Sequence, residues 1–302
     1  MEIIILLFAL QSLCQLAYKL LGKLTSASVD GSDTEQYIFF FIVNCIIASL
    51  FFWTTGGFRL EVNFPTFLYS VGFACIVFIN LMSALMVYRY ATVAAVNIVT
   101  CGVGTALSPL LGWLFFRDQI DAVTFIRVGV ILVAAAFLYL DMRKQEPGQT
   151  HKQKKGNLLP LLFYLATTVL GLQATSIINK FYMQSPSVTD ESSFCLLTNI
   201  ILLSGTLVVL LIRTILKPKQ VKEAFRALTA KKILIWSGTV VTSNVVTITG
   251  IWLLAMMALS VYTPVYSALG ILISAAASLL LKEKLSVYSY LAAAAACVAV
   301  IL

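Results

Sequence analysis

The sequence predicts an all-α integral membrane protein in which ten transmembrane helices form two inverted five-helix repeats. Three observations lead to this fold class. Of the 302 residues, 60% are hydrophobic and 11% are charged, with a mean hydropathy of +0.95, whereas soluble domains carry about 25% charged residues. The chain contains ten apolar stretches of membrane-spanning length. The second half also repeats the pattern of the first half in the same order.

Each helix is predicted from a run of about 20 mainly apolar residues, which is the length that crosses a hydrocarbon core of about 30 Å. A transmembrane β-barrel would need strands of alternating polarity, whereas runs such as IIILLFAL and LAAAAACVAVIL are apolar on both faces. The predicted helices are 2–22, 34–55, 64–88, 91–116, 121–142, 157–181, 192–216, 231–254, 257–281 and 285–302.

The internal repeat is read from polar residues that recur at equivalent places. Lys19 near the end of the first helix corresponds to Lys180 near the end of the sixth, and Asn44 in the second helix corresponds to Asn199 in the seventh. The charged turn FFRDQ after the fourth helix likewise matches LLKEK after the ninth. These matches run through the chain in order, which chance matches between apolar residues would rarely do.

The repeats define the expected domain organisation. We predict a first repeat over 1–142, a basic linker over 143–156 and a second repeat over 157–302. Because each repeat has five helices, an odd number, the second repeat must cross the membrane in the opposite sense. Transporters with inverted repeats form their solute sites near the bilayer midplane, between the repeats.

A ten-helix chain of this kind resembles the drug/metabolite transporter (DMT) superfamily, and within it the EamA-like transporters. The resemblance rests on two five-helix repeats, each with a short charged turn before a fifth helix rich in Ala, Gly and Val. It implies a central cavity lined by helices 1–4 and 6–9, with helices 5 and 10 at the periphery. The small-residue runs at 133–136 and 291–297 fit peripheral helices that approach closely, and a homodimer through these helices is one expected assembly.

The basic residues predict the orientation in the membrane. Sixteen of them lie at the face opposite both termini, and only Arg59 and Arg117 lie at the face that bears the termini. The positive-inside rule therefore places both termini outside, whereas the family resemblance implies cytoplasmic termini. Anionic lipid headgroups explain the net charge of +8, so we expect membrane lipids and no nucleic acid as partners. The basic stretch KPKQVKEAFRALTAKK is either a short interfacial helix or a solvated loop.

Polar residues inside the apolar helices are the candidate solute site. Gln11, Gln15 and Lys19 form one stripe on the first helix, and Gln173 and Lys180 repeat it on the sixth. Because a charge in hydrocarbon costs several kcal/mol, such residues normally face a cavity or a partner; the alternative is that the lysines extend to the headgroups. The predicted substrate-binding residues are Gln11, Gln15, Lys19, Asn44, Asn97, Gln173, Lys180, Asn199, Trp252, Tyr262 and Tyr266.

Two prolines inside predicted helices are candidate gating residues. Pro109 lies in the fourth helix and Pro264 in the ninth. A proline frees a backbone carbonyl and permits a bend in a membrane helix, and a purely structural kink is the alternative role.

Several kinds of chemistry are not expected. No Asp or Glu falls in the middle of a predicted helix, so we do not expect a carboxylate proton relay or the export of cationic drugs. The six cysteines and His151 show no metal-ligand spacing, and no enzyme motif is present. We therefore predict no metal, no cofactor and no enzymatic activity.

The sequence thus predicts a transporter for a small-molecule solute. Lysine, amide and tyrosine donors favour a carboxylate or phosphate group, so the expected solute is a small polar or anionic metabolite such as an amino acid or a phosphorylated acid. The alternatives are a broad-range amphiphile exporter and a membrane scaffold or lipid-handling protein that transports nothing. The lack of an N-x-S/T sequon and of a targeting presequence fits a bacterial inner membrane.

Overall fold

A computed structural model of the chain describes residues 2–28, 34–87, 104, 107–119, 121–144, 158–280 and 287–301. Within these residues the regular structure is helical, without a strand. The helices are α1 (Glu2–Ser28), α2 (Thr34–Thr55), α3 (Phe64–Val87), α4 (Leu107–Phe116), α5 (Ala122–Lys144), α6 (Leu158–Gln184), α7 (Glu191–Leu216), α8 (Pro218–Arg226), α9 (Ala230–Met256), α10 (Leu259–Leu280) and α11 (Val287–Ile301).

Apart from α8, the described helices lie on the predicted apolar stretches. The second helix has the predicted bounds, and α1 continues six residues beyond the predicted end at 22. The fourth predicted helix is described from residue 107 onward, apart from Gly104, and the linker lies largely outside the described residues. The basic stretch after α7 is helical and forms α8. Among the described residues, four helical segments are long and apolar enough to cross a membrane: Glu2–Leu21, Glu35–Thr55, Glu191–Leu216 and Ala230–Met256.

The distribution of polar residues on the helices is the reverse of that in a soluble protein. On α1, Gln11 is 1% exposed whereas Leu13 is 67% exposed. On α6, Lys180 is 4% exposed whereas Phe163 is 65% exposed. Helices of soluble proteins bury their apolar stripe and expose their polar face, and lysine is almost never fully buried unless it is paired. Together with the long apolar segments, this pattern identifies a helical membrane protein.

The helices form two compact units, each built from both halves of the chain. Unit 1 comprises Met1–Cys75 and Tyr182–Trp252, and unit 2 comprises Ile76–Phe181 and Leu253–Leu302. Both units therefore draw on both predicted repeats. The two repeats themselves and the linker between them remain predictions.

In unit 1, α2 packs against α7, and the short helix α8 contacts both of them. Aromatic side chains also connect α2 to α9. The ring of Phe40 on α2 meets Trp236 on α9 edge to face at 5.4 Å, and Trp236 is fully buried. Because α2 and α7 are equivalent helices of the predicted repeats, the packing brings predicted symmetry mates into contact.

A hydrogen-bond network in unit 1 joins the start of α3 to the turn between α6 and α7. Asn63 caps α3 by accepting from the Thr66 amide at 2.9 Å. The hydroxyls of Thr66 and Thr189 are 3.1 Å apart, and the Thr189 amide donates to the Thr66 hydroxyl at 3.0 Å. The Tyr182 hydroxyl lies 2.7 Å from the Thr189 carbonyl and 3.1 Å from the Asp190 carbonyl. Tyr182, near the end of α6, therefore ties the turn between α6 and α7 back to α6.

The substitution Tyr182→Phe tests this network. We expect it to lower the free energy of unfolding by about 1–2 kcal/mol, since it removes a hydroxyl donor from buried carbonyls. The ring itself should stay, because its stacking on Phe194 at 4.3 Å is apolar. Thermal unfolding in detergent measures the change, with Tyr290→Phe as the control because Tyr290 is 56% exposed. Equal melting temperatures for the two variants would contradict the assigned role.

In unit 2, α5 packs against α11, and both contact α10. Small side chains make this close packing possible: Ala134, Ala268, Ala292 and Ala299 are all fully buried. Arg127 on α5 also donates to the carbonyl of Ala299 at 3.2 Å. Ala134 and Ala292, which belong to the two small-residue runs predicted for peripheral helices, are thus buried where these two predicted symmetry mates pack together within unit 2.

The N-terminus of α5 is capped by Asp121. Its carboxylate accepts from the hydroxyl of Thr124 at 2.7 Å and from the amide of the same residue at 2.8 Å. These bonds, the hydroxyl bond first, hold the pKa of the Asp121 carboxyl below its ordinary value. The cap is therefore charged at neutral pH, and its stabilising contribution is lost only as the pH falls through that lowered pKa.

Candidate solute-binding site

A buried ion pair joins α6 to the turn that follows α4. The ammonium of Lys180 lies 3.2 Å and 3.3 Å from the two carboxylate oxygens of Asp118. The two side chains are 5% and 9% exposed. Removing both partners from water costs free energy. Their mutual attraction offsets this cost only when the geometry is good and additional hydrogen bonds are made. Lys180 is therefore turned into the protein and neutralised there.

The chain reaches this position through a tight turn at the end of α4. Arg117 adopts a left-handed backbone conformation with φ of 55°. Its amide donates to the Trp113 carbonyl at 3.2 Å, and the amide of Asp118 donates to the Gly112 carbonyl at 3.2 Å. The turn folds Asp118 back over the last turn of α4. It can do so because Gly112 has no side chain: a Cβ there would lie 2.7 Å from Oδ2 of Asp118.

The carboxylate of Asp118 also caps the beginning of α10. The amide of Ser260, in the first turn of α10, donates to Oδ2 of Asp118 at 3.3 Å. The first amides of a helix have no partner within the helix, and the helix dipole favours a negative charge at this end. One carboxylate therefore connects α4, α6 and α10.

Polar groups of α10 next to this carboxylate remain unsatisfied. Among the described residues, neither the hydroxyl of Ser260, which is fully buried, nor that of Thr263 has a hydrogen-bond partner. Pro264 lies four residues after Ser260 and has no amide hydrogen for the Ser260 carbonyl. Because buried polar groups are normally bonded, this part of α10 has hydrogen-bonding capacity for a ligand.

An aromatic ring lies beside the ammonium, and a further ring packs against that ring. Nζ of Lys180 lies 4.6 Å from the centroid of the Phe116 ring. Phe181 packs on Phe116 at 4.7 Å and on Phe115 at 6.2 Å. A cation over an aromatic face is stabilised by the ring quadrupole, more so when the cation is desolvated. The Phe116 ring therefore adds a contact to the ammonium beside its ion pair with Asp118.

Two turns earlier on α6, Gln173 forms a second polar contact with α4. The hydroxyl of Ser108 donates to Oε1 of Gln173 at 2.8 Å, and both residues are buried. Gly104 permits this approach, because a Cβ at that position would lie 2.9 Å from Nε2 of Gln173. Gln173 therefore contacts α4, and Lys180 contacts the turn that follows α4, both within unit 2.

The matching stripe on α1 belongs to unit 1. Nε2 of Gln11 donates to the Val246 carbonyl on α9 at 3.3 Å. Gln15 is buried and Lys19 is half-buried. The structure thus turns the predicted polar face of α1 inward, while the neighbouring leucines remain exposed.

The predicted asparagines differ in their surroundings. Asn199 donates to the Cys195 carbonyl one turn earlier in α7 at 2.8 Å, so part of its amide is used within its own helix. Asn44 on α2 is half-buried. Asn97 lies outside the described residues.

The aromatic and gating candidates are divided between the units. Tyr262 and Tyr266 stack on each other in α10 at 5.6 Å with an interplanar angle of 20°. Trp252 belongs to unit 1 and is 37% exposed. Pro109 is buried in α4, and Pro264 is buried inside α10, which continues through it.

Sequence reasoning did not include Asp118 and Ser260 among the site residues. Asp118 was placed at a turn, away from the middle of any helix, and no local pattern shows that this turn folds back onto α6. The available signal was the glycine six residues before Asp118 in the motif GWLFFRD. A small residue one turn from the end of a helix leaves space for a returning side chain.

An anion could bind at this site only in exchange for the carboxylate of Asp118, which already pairs with Lys180. The ammonium supplies a charge and three hydrogen-bond donors, and the hydroxyls of Ser260 and Thr263 are further donors on α10. Within the described part of the chain, no group of three His, Cys, Asp or Glu side chains is placed to hold a metal ion.

Comparison with known proteins establishes the fold. No family model and no curated protein matches this chain. Twenty-four solved chains match it, and one crystal structure of a protein superposes with a TM-score of 0.67 at 13% identity, covering 99% of this chain and 95% of that one. At this identity the likeness shows the fold alone. The chain therefore shares its fold with a solved structure.

Proposed function

We propose that this protein is a secondary active or facilitative transporter that works by alternating access. Its solute is a small polar or anionic organic metabolite, such as an amino acid or an organic or phosphorylated acid, carried across the cytoplasmic membrane of a bacterium. The observation that carries the proposal is the buried ion pair of Lys180 and Asp118 in a helical membrane protein.

The argument rests on what a buried ion pair costs. A well-packed apolar pair in its place would often be as stable or more stable, so stability is a poor reason to keep charges there. Ionisable residues within a membrane protein typically mark solute or ion pathways. A carboxylate or phosphate on the solute is the chemical group that can replace Asp118 as the partner of Lys180, with the Ser260 hydroxyl as an additional donor.

The proposal includes ten membrane spans in two inverted repeats, as in the EamA-like transporters of the DMT superfamily. The helices lie on the predicted spans, which supports this count. Predicted symmetry mates also pack in pairs, with α2 against α7 in unit 1 and α5 against α11 in unit 2. A two-fold pseudo-axis between inverted repeats would bring equivalent helices together in this way.

A second candidate function is the export of amphiphiles. The stacked rings of Tyr262 and Tyr266 favour it, because paired aromatic faces bind flat apolar solutes. A carrier of this kind would not depend on the Lys180 charge. A scaffold or lipid-handling protein would transport neither class of solute.

Uptake into liposomes tests the proposal. The double variant Lys180→Met/Asp118→Leu removes both charges and leaves no buried ion unpaired. We expect it to reduce the uptake of labelled amino acids, dicarboxylates and phosphorylated acids by about tenfold or more, the equivalent of one charge-assisted hydrogen bond. Arg59→Gln is the control, because Arg59 is exposed in the turn after α2.

The other outcomes of the uptake experiment are equally informative. Unchanged anion uptake by the double variant would contradict the assignment of Lys180. Transport of aromatic cations that is insensitive to the double variant would favour the amphiphile exporter. The absence of flux for every solute in wild-type liposomes would favour the scaffold.

A further inference from the structure

The short helix α8 carries its basic residues on one face. It begins at Pro218 and is separated from the end of α7 at Leu216 by Lys217 alone. Proline suits the first turn of a helix. Lys219, Lys222 and Arg226 are exposed and are spaced i, i+3 and i+7. On an α-helix this spacing puts the three charges on a single side.

The opposite side of α8 is apolar. Ala224 is 1% exposed where α8 contacts α2 and α7. Phe225 touches Phe39 of α2 at a ring separation of 5.8 Å, yet 63% of it remains exposed. The small residue Ala224 therefore packs against the rest of unit 1, whereas the large ring of Phe225 beside it is left mostly exposed.

The surface around α8 also has an apolar part and a basic part. Ile215 and Leu216, the last residues of α7, are 73% and 72% exposed. Lys231 and Lys232 add two more positive charges at the start of α9. An apolar surface therefore ends at the point where a cluster of basic residues begins, and α8 lies at that boundary.

We propose that α8 is a binding site for anionic phospholipid at the membrane surface. The phosphate-bearing headgroups contact Lys219, Lys222 and Arg226, and the Phe225 ring enters the acyl-chain boundary beside Ile215 and Leu216. Amphipathic helices with this division of charge and aromatic residues bind at the interface of anionic bilayers. An acidic soluble protein would match the charges but would leave Phe225 and the end of α7 uncovered, so the bilayer fits the surface better.

The inference does not depend on which solute the protein carries. Its readout is lipid affinity, so a failure of the proposed transport function would leave it unaffected. The orientation predicted from basic residues also puts α8 on the cytoplasmic side, where anionic lipids attract clusters of basic residues.

The experiment measures how lipids stabilise the full chain in neutral detergent. Phosphatidylglycerol, phosphatidylcholine and glycerol phosphate are titrated separately while the melting temperature is followed. We expect phosphatidylglycerol to raise the melting temperature at lower concentration than phosphatidylcholine, and glycerol phosphate to leave it unchanged. The variant Lys219→Gln/Lys222→Gln/Arg226→Gln should lose about fivefold in phosphatidylglycerol affinity per charge, or about a hundredfold in all.

Two further variants sharpen the test. Phe225→Ser should weaken binding of both lipids, because it removes the apolar contact and leaves the charges. Arg59→Gln, at an exposed position in the turn after α2, should bind phosphatidylglycerol as the wild type does. Equal stabilisation by the two lipids, an unaltered affinity in the triple variant, or an equal shift with glycerol phosphate would each overturn the inference.

Discussion

Replacement of Asp118 by asparagine is expected to lower the free energy of unfolding by about 3–5 kcal/mol, which is the usual cost of breaking a buried ion pair from one side. Lys180, which is 4% exposed, would then lose the carboxylate that balances its charge. The neighbouring Phe116 ring cannot take the place of a carboxylate, because its attraction for a cation is about 2 kcal/mol when desolvated. Thermal and SDS-induced unfolding of the purified protein both measure this effect.

A matched set of variants distinguishes the effect of an unpaired charge from the effect of changing the side chains at these positions. Asp118→Leu/Lys180→Met should recover most of the lost stability, since a well-packed apolar pair is often as stable as an ion pair. Asp121→Asn, three residues further on, should have little effect, because Asp121 is exposed and asparagine also caps helices. If Asp118→Asn were no less stable than Asp121→Asn, the ion pair would not be a feature of the folded protein.

Introduction of a single methyl group by Gly112→Ala is expected to destabilise the protein by about 1–3 kcal/mol, the usual cost of overpacking. The added Cβ would lie 2.7 Å from Oδ2 of Asp118 and 3.4 Å from the amide nitrogen of Ser260. The carboxylate is the part that can move, and any movement takes it away from Lys180 and from the first turn of α10. Unfolding and anion uptake should therefore both be affected.

Gly205→Ala is the matched control for this prediction. Gly205 lies in the interior of α7, and a Cβ there would meet nothing within 4 Å. Alanine is favoured over glycine in a helix by about 0.5–1 kcal/mol, so this variant should be at least as stable as the wild type. If Gly112→Ala behaved in the same way, the close approach of Asp118 to α4 would be refuted.

A double-mutant cycle connects the two predictions. If Gly112→Ala acts by displacing the carboxylate of Asp118, its cost should fall well below its single-variant value in the Asp118→Leu/Lys180→Met background. Residues that share one contact deviate from additivity, whereas distant ones add. Full additivity would mean that the glycine acts through some other contact.

Much of the helical framework was predictable from the sequence. The second helix was predicted with its observed bounds, and α7 and α9 each start one residue earlier than predicted. These helices are readable because a lipid-exposed helix needs a long apolar run, and such runs are a local property of the chain. The inward placement of Gln11 and Lys180 was predictable for a similar reason, because a polar group is costly where it faces lipid.

The partners of those polar groups were not predictable. Asp118 and Lys180 are separated by 62 residues, and nothing near either residue specifies the other. Their contact depends on the left-handed turn at Arg117, on the missing side chain of Gly112 and on the packing of α4 with α6. Sequence reasoning therefore found the buried amine and assigned it to a solute, without finding the carboxylate that occupies it in this structure.

The sequence alone determined that this chain is helical, where its helices lie and that it belongs in a membrane, because these properties follow from composition and from the spacing of apolar residues. Only the tertiary structure decided how helices from both halves combine into each unit and which charge neutralises Lys180. Those outcomes depend on contacts between distant segments, whose energies are set by side-chain shape and by close approach at glycine and alanine. The local pattern of the amino-acid sequence does not specify such contacts.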